Sequence, residues 1–137
     1  MAETKKKKTD KERFIEYIIK RMKAYRHLLN ADEFDIVVPD YASCDDEKDT
    51  AFWLDRHHPY MQVRVCWTQR ALDCYIENPH SLNRMLLHEM LHLLTWDLWE
   101  AGKERYTTPN ALWNENEKLV DRLSVALDRI MNKKDYV

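Results

Sequence analysis

From Met85 to Leu94 the chain is apolar almost without a break, yet the run carries three groups foreign to an apolar core: His88, Glu89 and His92. Met85, Leu86, Leu87, Met90, Leu91, Leu93 and Leu94 leave no polar face wide enough for solvent, so the segment is expected to form a helix buried on most sides. At about 100° per residue, His88 and His92 stand one turn apart on one face, within reach of a single metal ion. Glu89 projects beside His88, placed to act on a metal-bound water without being a ligand. Two imidazoles and a carboxylate in such a setting are costly unless something satisfies them. A zinc ion does so, and the HExxH spacing is that of a zinc site.

Catalytic zinc normally takes three protein ligands and leaves one position open, so a third ligand is required. No histidine follows His92, and the longer HExxHxxGxxH pattern fails because Thr95 and Leu98 occupy its remaining positions. A later carboxylate must serve. Glu100 lies about 12 Å further along the helix axis, and Asp97 points about 140° away from His92. Glu104, in the connecting loop, remains a candidate. Glu115 and Glu117 fall on a last helix that is expected to bury Leu112, Leu119, Val120, Leu123, Leu127 and Ile130 against the HExxH helix. Each glutamate lies roughly 90–110° from the centre of that face, so phase does not choose between them. The residue one turn on does. Glu117 is followed by Asp121, which can accept the free ring N–H of a ligating histidine, whereas Glu115 is followed by Leu119.

Asn116-Glu117-Lys118-Leu119-Val120-Asp121 has the NExxxD form that follows HExxH in thermolysin-like gluzincins, and over residues 79–125 the chain resembles that family. The resemblance implies zinc held by His88, His92 and Glu117, with Asp121 orienting His88 and Glu89 as general base. It is similar to minigluzincins and to small zincin-like peptidases often encoded by phages or prophages. The family's large C-terminal subdomain is missing, and with it any equivalent of the accessory histidine and tyrosine.

Elsewhere the chain reads as one α+β domain over residues 9–137, preceded by a disordered basic tail at 1–8. Its 137 residues and 45% hydrophobic content support a real core, and a net charge of −2 gives no global attraction to nucleic acid or an anionic membrane. No stretch is long and apolar enough for a membrane span or a secretion signal. The three cysteines, Cys44, Cys66 and Cys74, are an odd count without CxxC spacing, which points to a cytoplasmic protein rather than a disulfide framework.

Thr9 and Glu12 form a capping box for a first helix running to about Asn30. Residues 34–38 alternate as a short strand ended by Pro39, and 40–50 are an acidic, solvated loop. Residues 51–54 and 60–67 read as a strand pair, and 71–77 as a fourth strand. Asn78-Pro79 suits the start of the HExxH helix, with Gly102 as its stop, and Thr108-Pro109 starts a last helix to about 132. The expected architecture is zincin-like, with a small, mostly antiparallel sheet of about four strands.

The function expected from these readings is zinc-dependent peptide hydrolysis, Glu89 passing a proton from the attacking water to the leaving amine. Resemblance to zincins places an extended peptide or protein substrate on the sheet edge at 71–77. Tyr106 and Arg105 are candidates for stabilising the oxyanion, although an ordinary loop role is the simpler reading of each. The competing function is a catalytically silent zinc-binding regulatory or interaction protein. Against it stands Glu89, a base that a structural site does not need.

Overall fold

A computed structural model describes residues 5–29, 31–43, 50–57, 61–103 and 108–132. The order of elements is α1 (Asp10–Leu28), β1 (Asp35–Val37), β2 (Phe52–His57), β3 (Gln62–Trp67), α2 (Gln69–Glu77), α3 (Ser81–Lys103) and α4 (Pro109–Met131), an α+β arrangement. The expected capping box opens α1: Thr9 Oγ1 accepts the Glu12 N–H at 3.2 Å, and the Glu12 carboxylate accepts the Thr9 N–H at 3.1 Å. Phe14, Ile18, Met22 and Tyr25 follow at helical spacing and are all fully buried. Their stripe packs onto α3 and the sheet, where Phe14 meets Trp67 edge-on at 4.9 Å.

Two expectations about the sheet are corrected. Among the described residues it has three strands rather than four, in the order β1-β3-β2, because residues 71–77 lie in helix α2. It is also mixed: β3 pairs antiparallel with β2 but parallel with β1. The misread segment has a physical explanation. Ala71 is buried, and Leu72 and Tyr75 are partly buried, at spacing i, i+1, i+4, while Ile76 is exposed. That is the phase of a helix, supported by good helix formers and a Gln69–Asp73 hydrogen bond at 3.0 Å. Ile76 next to Tyr75 gives the run the composition of a strand, but not its phase.

The HExxH helix is central, touching α1, α2, α4 and β2. Leu82, Leu86, Leu87 and Met90 on it are fully buried, as its all-round apolar composition requires. Its first turn is prepared by Asn78, whose carbonyl accepts the Ser81 N–H at 3.1 Å. At the far end α3 continues to Lys103, so Gly102 lies inside the helix instead of stopping it.

The last helix packs beside α3, but rotated from the expected face. Its buried positions are Asn116, Val120, Ser124 and Asp128, while Leu119, Leu123 and Ile130 are exposed at 43%, 39% and 72%. Polar partners explain the rotation. Asp128 accepts from Asn132 Nδ2 at 2.6 Å, and Asn132 Oδ1 accepts from Arg21 at 3.2 Å. Arg21 Nε in turn donates to Asn83 Oδ1 at 2.8 Å, and the Asn83 carbonyl accepts the Tyr25 hydroxyl at 3.1 Å. This network ties α1, α3 and the end of α4 together, since buried polar groups without partners are costly. It also turns the Asn116-Glu117-Asp121 side of α4 towards the two histidines of α3.

Candidate metal centre

His88 and His92 project from α3 with their rings 4.7 Å apart, and Glu117 reaches them from α4. His88 Nε2 lies 3.4 Å from Glu117 Oε2, His92 Nε2 lies 2.9 Å from Glu117 Oε1, and the two Nε2 atoms are 3.0 Å apart. A tetrahedral ion with bonds of about 2.0–2.1 Å holds its donors about 3.3 Å apart. The three donors therefore already sit near the corners of such a site, and these residues could hold a metal ion.

Orientation and protonation fit the same role. His88 Nδ1 is 2.8 Å from Asp121 Oδ1, so the proton belongs on Nδ1 and the Nε2 lone pair faces the cluster. On the other imidazole, Nδ1 lies 3.5 Å from the Asn116 side-chain amide, and Trp113 stacks on the ring at 5.2 Å and 7°. Burial, aided by His88, pulls His92 down to about 4, which keeps it neutral and able to donate a lone pair. The two Nε2 atoms lie 3.0 Å apart, close enough for one cation to take a lone pair from each. Burial also raises Glu117, and pushes Glu89 up to about 8 with help from the Glu117 charge. A divalent cation held here would supply positive charge that favours the ionised carboxylates.

Two cavities meet at this cluster. One, of about 460 Å³, extends past Arg84 and Met85, and the other, of about 510 Å³, past Leu93, Trp96 and Trp113. His88 and Glu89 line both. Glu89 thus stands at the middle of a groove whose walls are α3, α4 and strand β2.

Strand β2 is an edge of the sheet. The Thr68 N–H donates to the Ala51 carbonyl at 3.0 Å, marking a hydrogen-bonded pair. Alternation along the register then points the backbone groups of Phe52 and Leu54 away from β3.

The five residues singled out from sequence, His88, Glu89, His92, Glu117 and Asp121, come together here. Glu115 does not, pairing instead with Lys118 on the exposed side of α4 at 3.2 Å. Glu104, Arg105 and Tyr106 lie outside the described residues, as do Asp45, Asp46, Glu47 and Asp49. Cys66 and Cys74 are free thiols, and Cys44 also lies outside the described residues. No described helix is long and apolar enough to cross a membrane.

Two contributors were missed. Asn116 precedes the candidate ligand Glu117 and is buried, and Trp113 sits one turn before Glu117. A polar residue and an aromatic flanking Glu117 at i−1 and i−4 were the available signal.

No protein-family model, curated protein or solved structure matches the chain.

Proposed function

We propose that the protein is a zinc-dependent peptidase of gluzincin type. The observation that carries this reading is the convergence of His88, His92 and Glu117 on one point with Glu89 beside them in an open groove. Two imidazoles and one carboxylate are a donor set suited to zinc. Zinc supplies Lewis acidity, lowering the pKa of a water and polarising a carbonyl.

The remaining work falls to the chain. Glu89 takes the proton released as water adds to the carbonyl carbon, and returns it to the amine nitrogen as the C–N bond breaks. Burial and the neighbouring Glu117 raise its carboxyl above the usual range, and a cation at the cluster would act in the opposite direction, favouring the ionised form a base requires. Asp121 fixes the His88 ring, and Asn116 with Trp113 holds the His92 ring.

The substrate is an extended peptide that adds to the edge of β2, where no strand pairs among the described residues and the Phe52 carbonyl accepts only the Thr50 hydroxyl at 3.2 Å. This replaces the edge expected at residues 71–77, which is helical. Outward backbone groups at Phe52 and Leu54 would supply the main-chain hydrogen bonds of such an addition.

Metal analysis of the purified protein, with cleavage of a mixed peptide pool followed by mass spectrometry, tests the proposal. The Glu89→Gln variant is expected to hold as much zinc as wild type and to cleave about 10²–10⁴-fold more slowly. Equal cleavage by that variant overturns the role of Glu89. Full zinc binding with no cleavage by wild type favours the silent, zinc-binding alternative.

A further inference from the structure

The groove is chemically two-sided, and its two halves lie in one order along both walls. On α3, Arg84 and Met85 precede Glu89, and Leu93 and Trp96 follow it. Along the other wall, Ala51, just before β2, borders only the first cavity, Thr50 and Phe52 border both, and Trp53 and Leu54 of β2 border only the second. An extended chain lying along β2 through the centre must therefore pass from one cavity to the other.

The second cavity is an aromatic and aliphatic wall, in which Trp53, Leu54, Leu93, Trp96 and Trp113 surround the metal-binding side chains. Arg56 also borders it, but its guanidinium sits 5.3 Å over the Phe34 ring. The first cavity carries cations instead: Arg70 and Arg84 line it together with Ser81. Its Asp121 carboxylate is engaged by His88 at 2.8 Å. Arg84 is exposed and has no hydrogen bond or ion pair with any described residue. It lies one turn before His88 on α3, so its guanidinium is carried on the same side of the helix as that ligand.

Resting on the peptidase reading above, we infer that the groove selects peptides with a bulky apolar side chain on one side of the scissile bond and a carboxylate on the other. Arg84 and Trp96 are separated by about 18 Å of helix, the length of roughly five residues of extended chain. The carboxylate accordingly falls within about two residues of the bond that breaks. An acidic side chain and a chain-terminal carboxylate present the same group to Arg84, paired in the fork geometry that guanidinium favours.

The zinc-loaded full-length protein, given a peptide pool, tests this by the sequences around the cut sites. In parallel, zinc-loaded Glu89→Gln is used to retain uncleaved peptides from the same pool. Cut sites or retained peptides combining an aromatic or large aliphatic residue with a nearby carboxylate are the expected result. For matched peptides, Arg84→Glu should lower kcat/KM for the acidic one relative to its lysine counterpart by about fivefold to tenfold, with Arg84→Gln intermediate. Amidating the C-terminus separates the sources: loss of selection marks a terminal carboxylate, and persistence an acidic side chain. Cleavage without this pattern, or unaltered preference in Arg84→Glu, overturns the inference and leaves the peptidase reading standing. Selective retention without cleavage overturns the peptidase reading while the groove's selectivity stands. Neither cleavage nor retention overturns both.

Discussion

Replacing Asp121 with alanine removes the acceptor of the His88 Nδ1–H without touching a ligand atom. The two atoms are 2.8 Å apart, and the Asp121 side chain is 59% exposed. Loss of such an outer hydrogen-bond partner generally costs about 10–100-fold in metal affinity. Exposure places Asp121 at the low end, because water can take over the N–H that the carboxylate gives up. The expected change is about tenfold in zinc Kd, or about 1.4 kcal/mol.

Competition with a chromophoric chelator at fixed pH measures that change directly. Thermal unfolding provides a separate check through linkage, since bound zinc stabilises by RT ln(1 + [Zn]/Kd). With zinc well above Kd, the variant should melt about 5 °C below wild type. After zinc is stripped by chelation, the two should agree within about 2 °C, because alanine suits an exposed helical position. Zinc affinity equal to wild type in Asp121→Ala, alongside its loss in Glu117→Ala, would refute the idea that Asp121 sets the His88 ring.

Three further outcomes are expected. Trp113→Ala removes the ring stacked on His92 and the edge contact with Trp99 at 5.0 Å; being only partly buried, it should lose about 2 kcal/mol in urea unfolding and bind zinc more weakly. Thr9→Ala removes one half of the α1 capping box and should cost about 1 kcal/mol by the same measurement, with no change in zinc affinity. Burial raises the Tyr25 hydroxyl well above its ordinary value. Its folded pKa therefore exceeds the unfolded value of about 10, so its contribution is intact below pH ~10 and declines as pH rises further. Unfolding free energies measured across alkaline pH should fall less steeply for Tyr25→Phe than for wild type.

Local chemistry made part of the architecture readable. The capping box at Thr9 and Glu12 concerns groups three residues apart, and the stripe Phe14, Ile18, Met22, Tyr25 declares its own burial. The all-round apolar character of residues 85–94 likewise dictated a central helix, and the i, i+4 spacing put His88 and His92 on one face of it. Residues 71–77 were not readable in this way. Over so short a stretch, period 2 and period 3.6 differ by the placement of one or two side chains, and packing against Phe14 and Tyr17 settles which one is realised.

The rotation of α4 was beyond the sequence for a different reason. Apolar phase alone turns Leu119, Leu123 and Ile130 inward, yet these are exposed. Asn116, Ser124 and Asp128 are buried instead, because partners on α1, α3 and α4 satisfy the polar groups of that side. Asp121 had marked Glu117 as the candidate ligand through a purely local relation, one helical turn. Whether that carboxylate could meet two imidazoles depended on a network on the far part of the same helix, running through Arg21 and Asn83. The sequence by itself determined which groups can bind a metal. Only the tertiary structure decided the angle at which α4 presents Glu117, since that angle balances polar satisfaction against apolar burial across elements distant in the chain.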